Sequence, residues 1–106
     1  MKKRERIKNK IEFDNFIKTS KSVKNPFFVV HFDNKKENHS RFGIAVGTKI
    51  GSAVVRNKLK RQIREIIGEE KSLFQKDQDY IIILRKPCLN LDYKQMKEKL
   101  IELINR

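Results

Sequence analysis

Tyr80-Ile81-Ile82-Ile83-Leu84 is the feature that leaves this chain the fewest options. A continuous apolar run of this length, closed by Lys86-Pro87, suits a central strand covered on both faces. A strand over 79–85 therefore needs other elements packed above and below it. The 106 residues suffice for one compact domain burying roughly two-thirds of its unfolded surface, and not for two independent cores. The chain, 1–106, is read as a single domain.

The strongest helical signal lies between Val54 and Glu65. At about 100° per residue, Val55, Leu59, Ile63, Ile66 and Ile67 share an apolar arc, while Arg56, Lys60, Arg64, Asn57 and Arg61 occupy the arc opposite. Ser52 is a fair N-cap, and the helix is expected to run to about Gly68. Like charges spaced i,i+4 repel by about a few tenths of a kcal/mol per pair. An ordinary solvated face mixes signs, yet only Glu65 interrupts this row before Glu69. A polyanion that neutralises the row is the natural explanation, and RNA is the polyanion favoured. Lys and Arg number 26 against 13 Asp and Glu, a net charge of +13, which points the same way. Basic membrane-surface helices put Trp, Phe and Leu on their apolar side. Here Trp is absent, and the apolar side is β-branched and reads as core.

Elsewhere the pattern is shorter in range. Residues 1–8 form a basic arm (Lys2, Lys3, Arg4, Arg6, Lys8) with little to bury, expected to be mobile. Asn9 and Glu12 resemble a capping pair for a helix over 10–19, with Phe13, Phe16 and Ile17 on one side. Asn25-Pro26 ends helical structure and precedes a strand over Phe27–Phe32. The polar segment Asp33–His39 is expected to be a hairpin loop leading into a strand over Arg41–Thr48. In that strand Phe42, Ile44 and Val46 are large, whereas Gly43, Ala45 and Gly47 leave the other face nearly bare. Glycine in a strand costs about 0.5 to 1 kcal/mol relative to alanine, so the bare face suggests a bulge, a packed neighbour or a ligand groove. A short extra strand near Lys49 and Ile50 is possible on this pattern. Asn90 or Asp92 caps a last helix lined by Met96, Leu100, Leu103 and Ile104. The order is α-β-β-α-β-α, an α+β arrangement.

Several function classes are disfavoured. Cys88 is the only cysteine, so there is no internal disulfide framework or thiolate metal cluster, and it reads as a small core filler. No apolar run follows Met1, so neither a secretory signal nor a membrane span is expected, and the cytoplasm is the expected compartment. His31, Asp33, Glu37 and His39 cluster in sequence but straddle a strand end and a loop, with nothing to orient them as metal ligands. Gly43, Gly47 and Gly51 lack the strand-turn-helix setting of a phosphate loop. A DNA-reading helix-turn-helix needs a second helix a few residues away, and the basic helix is flanked by strands. No catalytic residue and no metal ligand is assigned. A ribosomal or general RNA-binding protein is the rival to any more specific RNA role, and core packing is the rival role for Phe13.

The segment Ile50-Gly51-Ser52-Ala53-Val54-Val55-Arg56-Asn57-Lys58-Leu59-Lys60-Arg61-Gln62-Ile63-Arg64-Glu65 resembles the Arg-Asn-Arg region of the protein component of bacterial ribonuclease P. The likeness spans nearly the whole chain. It is also carried by Phe13 in a basic first helix, by Arg41-Phe42-Gly43-Ile44-Ala45-Val46, and by Asp79-Tyr80-Ile81-Ile82-Ile83 before Arg85-Lys86-Pro87. This resemblance implies a sandwich related to the second domain of ribosomal protein S5, with a left-handed crossover that handedness rules alone argue against. It implies a ribonucleoprotein that removes the 5′ leader of precursor tRNA, in which a large RNA performs magnesium-dependent hydrolysis. Magnesium is then a requirement of the RNA, and the protein is an accessory subunit whose partners are the catalytic RNA and precursor tRNA, with no obligate protein partner evident. By position, Arg56, Asn57, Lys58, Lys60, Arg61 and Arg64 would contact the catalytic RNA. Phe13, Ile17, His31, Ala45, Gly47 and Lys49 would line a cleft for the single-stranded leader. Lys58 stands where the family's second motif arginine is usual, Ile17 where a second aromatic is common, and His31 where tyrosine is often found. Lys58 keeps the charge without the planar fork that grips phosphate, and Ile17 cannot stack a base as a phenyl ring does.

Overall fold

The computed structural model describes residues 6–7, 9–34, 39–74 and 77–105. Its elements follow in the order α1 (Lys10–Thr19), β1 (Lys21–Lys24), β2 (Phe28–Asn34), β3 (Phe42–Val46), α2 (Ala53–Glu69), β4 (Gln78–Leu84) and α3 (Tyr93–Ile104). The four strands make one sheet in the order β1-β2-β4-β3. β1 with β2 and β2 with β4 are antiparallel, and β3 with β4 is parallel.

The apolar run of β4 lies inside this sheet, as its lack of alternation requires. Tyr80, Ile82 and Leu84 join Phe28, Val30 and Phe42 on the side covered by α2 and α3. Ile81 is packed on the other side with Ile7 of the N-terminal segment and Phe16 of α1. Both Ile81 and Ile82 are completely removed from solvent. Phe42, Phe74 and Tyr80 close one end of the larger core, with Phe74 edge-on to the other two rings at centroid distances of 5.3 and 5.2 Å.

Each helix begins where its cap dictates. Asn9 Oδ1 accepts from the Ile11 and Glu12 amides at 2.9 and 3.2 Å. Ser52 Oγ accepts from the Val55 amide at 3.4 Å. Asp92, rather than Asn90, caps α3, in a reciprocal box with Gln95. α2 continues one residue past Gly68, to Glu69. Its C-terminal end is tied to α3, where Lys97 Nζ lies 3.1 Å from Glu69 and 3.2 Å from Glu70.

Three expectations need correction. β2 and β3 do not form a hairpin: β4 lies between them, because its double-sided apolar surface takes the centre of the sheet. No strand forms at Lys49 and Ile50. Thr48–Ile50 is a 3-10 turn in which the Ile50 amide donates to the Gly47 carbonyl at 3.0 Å, and the extra strand is β1 instead. Residues 6 and 7 of the basic arm are not free: Arg6 bridges to Phe42 and Ile7 is buried. The rest of that arm, residues 1–5 and 8, and the Lys35–Asn38 loop with Glu37 lie outside the described residues. Among the described residues no helix is long and apolar enough to cross a membrane.

Candidate nucleic-acid interface

α2 divides its side chains as its periodicity dictates. Leu59, Ile63, Ile66 and Ile67 are buried against the sheet, and Asn57, Lys58 and Arg61 are exposed. Arg56, Lys60 and Arg64 are half-buried, forming a row along one shoulder of the helix. The Arg56 Nε donates to the Gly51 carbonyl at 3.2 Å, which anchors the first guanidinium against the turn before the helix. Burial, and then the neighbouring charge of Arg6, hold the Arg64 guanidinium below its ordinary pKa. All six helix positions that the resemblance singles out are thus on the solvent side or shoulder of one helix.

The second surface is the sheet face on the α1 side. Register places His31, Ile81 and Gly43 in one transverse row and Val29, Ile83 and Ala45 in the next. α1 covers the first row. A Cβ at Gly43 would come within 2.7 Å of Cε2 of Phe13 and 3.1 Å of Cγ1 of Ile81, so the bare backbone there is filled by the Phe13 ring. The second row is only half-buried, and a Cβ at Gly47 would meet nothing within 4 Å. The strand expected over Arg41–Thr48 ends at Val46, so the packed neighbour is found at Gly43 within β3 and the open surface at Gly47, just past its end. Phe13 and Ile17 are half-buried and flank this strip, packing toward Ile81 and Ile83.

His31 is less central to the strip. It is separated from β3 by β4, roughly 10 Å across two strand spacings, and its Nδ1 is paired with the Ser20 hydroxyl at 3.0 Å. Burial lowers its pKa, which favours the neutral ring near pH 7. Lys49 is exposed on the 3-10 turn beyond Gly47, where a cation extends the strip. Sequence reasoning missed Val29 and Ile83 as parts of the strip. β2 alternates, so Val29 could have been paired with His31 by period, but the Ile81–Ile83 run carries no facing signal.

What holds α1 in place was also missed. Arg41 donates from both terminal nitrogens to Glu12 of α1, at 3.0 and 2.9 Å, and from one of them to Asp79 at 3.3 Å. Asp79 is fully buried at the start of β4 and also accepts from the Arg41 amide at 2.8 Å. The bidentate bond to Glu12 is the main cause of the raised Arg41 pKa. This clasp sets the height of α1, and hence of Phe13, above the sheet.

Among the described residues no three His, Cys, Asp or Glu side chains gather in a way that could hold a metal ion. Glu37, one of the four clustered in sequence, lies outside the described residues.

The family model described as Ribonuclease P matches residues 1–106. The chain is 43% identical over 107 aligned positions to the ribonuclease P protein component of Bacillus mycoides (strain KBAB4), covering 100% of this chain and 93% of that one. Its structure is similar to that of the Staphylococcus aureus RNase P protein, with a TM-score of 0.88 and 38% identity over 95% of this chain and 93% of the other. It is similar also to the RNase P protein from Thermotoga maritima, with a TM-score of 0.86 and 38% identity over 96% of each chain. With a family match over its full length and relatives of this identity and coverage, the chain belongs to the ribonuclease P protein family.

Proposed function

We propose that this chain is the accessory subunit of a ribonuclease P ribonucleoprotein and promotes removal of the 5′ leader from precursor tRNA. The observation that carries this reading is the division of α2, which buries Leu59, Ile63, Ile66 and Ile67 in the core and leaves Asn57, Lys58 and Arg61 exposed, with Arg56, Lys60 and Arg64 half-buried along its shoulder. The exposed side of Arg56, Asn57, Lys58, Lys60, Arg61 and Arg64 binds phosphates of the catalytic RNA. The strip beside Phe13 and Ile17, floored by Val29, Ile83 and Ala45 and continuing to Gly47 and Lys49, receives the single-stranded leader. His31 lies at the margin of that strip. Flat and apolar side chains for bases beside a cationic track suit single-stranded RNA. Two RNA surfaces on one small protein raise substrate affinity by joining leader contacts to those made by the RNA subunit.

On this reading hydrolysis and its magnesium requirement belong to the RNA, the protein carries no catalytic residue, and the complex works in the cytoplasm. The fold reading extends to kinship with the second domain of ribosomal protein S5 and a left-handed β3-α2-β4 crossover. The test is reconstitution: the refolded catalytic RNA cleaves precursor tRNA at low magnesium with and without the chain. Stimulation is expected, and its absence would favour a general RNA-binding role. Crosslinkers at positions 13 and 56 separate the surfaces, the first expected to reach leader and the second the catalytic RNA.

A further inference from the structure

The N-terminal segment adds one parallel bridge to the outer edge of β3. Arg6 pairs with Phe42, and the Ile7 amide donates to the Phe42 carbonyl at 2.9 Å. Bridged residues face the same side of a sheet and consecutive residues face opposite sides. Phe42 belongs to the core under α2, and Ile7 is buried with Phe16 and Ile81 on the α1 side. Arg6 is thereby directed toward α2, into the electrostatic reach of Arg64.

Both arginines are half-buried, and the Nε of each is shielded from solvent with no hydrogen-bond partner. Among the described residues neither enters an ion pair. A buried donor left unmade is costly, and two guanidiniums drawn together repel. The pair is therefore unfavourable on its own, and an anion held by the two guanidiniums offsets their repulsion. Glu65, the next residue on α2, is exposed and acts on Tyr93 of α3 instead.

We propose that Arg6 and Arg64 together seat one phosphate of the catalytic RNA at the β3 edge. The proposal rests on the reading of α2 as the RNA-facing helix, and adds to it a ligand from outside that helix. Two planar forks match the two non-bridging oxygens of a phosphodiester. One RNA phosphate then holds the N-terminal segment and α2 together, so the segment is set down on β3 more firmly in the complex than in the free protein.

The test is a double-mutant cycle on the full chain, measuring affinity for the refolded ribonuclease P RNA across a salt series with Arg6→Gln, Arg64→Gln and the double variant. Each single change is expected to weaken binding about tenfold or more. The double variant is expected to be little weaker than the worse single, with a salt slope reduced by about one in all three. Thermal unfolding in low-salt buffer without RNA is expected to show Arg6→Gln no less stable than the parent, since it removes a repulsion. If that variant melts lower, Arg6→Lys, which keeps the charge and loses the fork, replaces it in the cycle: its affinity loss is expected to be non-additive with that of Arg64→Gln, while its own salt slope stays that of the parent. Independent losses with a slope change of about two in the double variant would assign the arginines to separate phosphates and overturn the proposal. Unaltered affinity on changing Arg6 would overturn it as well, with the α2 reading intact. If the parent protein itself has no affinity for the RNA, the α2 reading falls and this pair with it.

Discussion

The Phe13 ring lies directly on the backbone of Gly43, at a separation that leaves no room for a methyl group: a Cβ there would sit 2.7 Å from Cε2 of the ring. Gly43→Ala therefore forces the ring outward or shifts Ile81 beneath it. An unfolding free energy lower by about 1 to 3 kcal/mol is expected from urea denaturation, at the low end if Phe13 swings toward solvent. A variant as stable as the parent would show that the contact is slack.

Gly47, just past the end of β3, offers the opposite case. Its backbone is extended at φ −65°, and nothing approaches its missing side chain. Gly47→Leu is expected to leave the melting temperature nearly unchanged while lowering affinity for a precursor tRNA carrying a leader, but not for mature tRNA. Equal effects on both substrates would remove Gly47 from the leader strip.

Arg41 offsets a carboxylate that has no access to water. Arg41→Ala leaves Asp79 buried without its countercharge, and a loss of about 3 to 5 kcal/mol is expected in chemical denaturation. Glu12→Gln, at a side chain 28% exposed, is expected to cost about 1 kcal/mol or less. The contrast is the informative result, because comparable losses would mean that the α1 clasp, rather than the buried charge, dominates.

The two sides of α2 should respond to different measurements. Leu59→Ala is expected to lower stability by about 2 to 5 kcal/mol, since its side chain is buried under the sheet. Arg61→Ala, at an exposed position, is expected to leave stability within about 0.5 kcal/mol of the parent. It should lower the salt dependence of RNA binding by about one unit. An unchanged salt slope would take Arg61 off the RNA-facing surface.

Burial pushes the Cys88 thiol up to about 11. The folded state keeps this proton where the unfolded chain, near its ordinary value of about 8.5, loses it. The sign follows: stability is full below about pH 8.5 and declines as pH rises toward 11. Cys88→Ala is expected to flatten that part of the stability-pH curve, and the native thiol to resist alkylation at pH 8 until denaturant is added. Rapid alkylation of the folded protein would contradict the burial.

The parts of this fold that could be read from sequence are those written in periodicity and caps. The arcs of α2 and α3 and the alternation of Phe42–Val46 each fix a local structure and its facing without help from distant residues, and the unbroken run of β4 fixes a strand buried on both faces. β1 was not legible because Lys21-Ser22-Val23-Lys24 is polar and short, with only Val23 even half-buried. Its strand character comes from pairing with β2. The Asp79–Arg41–Glu12 clasp joins three separated elements, so no spacing rule exposes it. The same holds for Arg6 and Arg64, whose meeting depends on an N-terminal segment that reads only as charge. On the α1 face, sequence indicated Gly43 and Gly47 as equivalent. The structure separates them because α1 is short enough to cover one row of side chains and not the next.

The placement of β4 carries a consequence for biosynthesis. β2 and β3 share no hydrogen-bonded edge: β2 pairs with β1, but the two halves of the sheet meet only through a strand that ends at Leu84. A ribosome must therefore release most of the polypeptide before the sheet closes, and until then a nascent chain bearing a large positive charge is held beside the ribosome's own RNA with no more of its sheet paired than the marginal β1-β2 hairpin. Nascent chains arrested before residue 78 should accordingly be digested by protease throughout, and chains arrested after α3 has left the exit tunnel should resist.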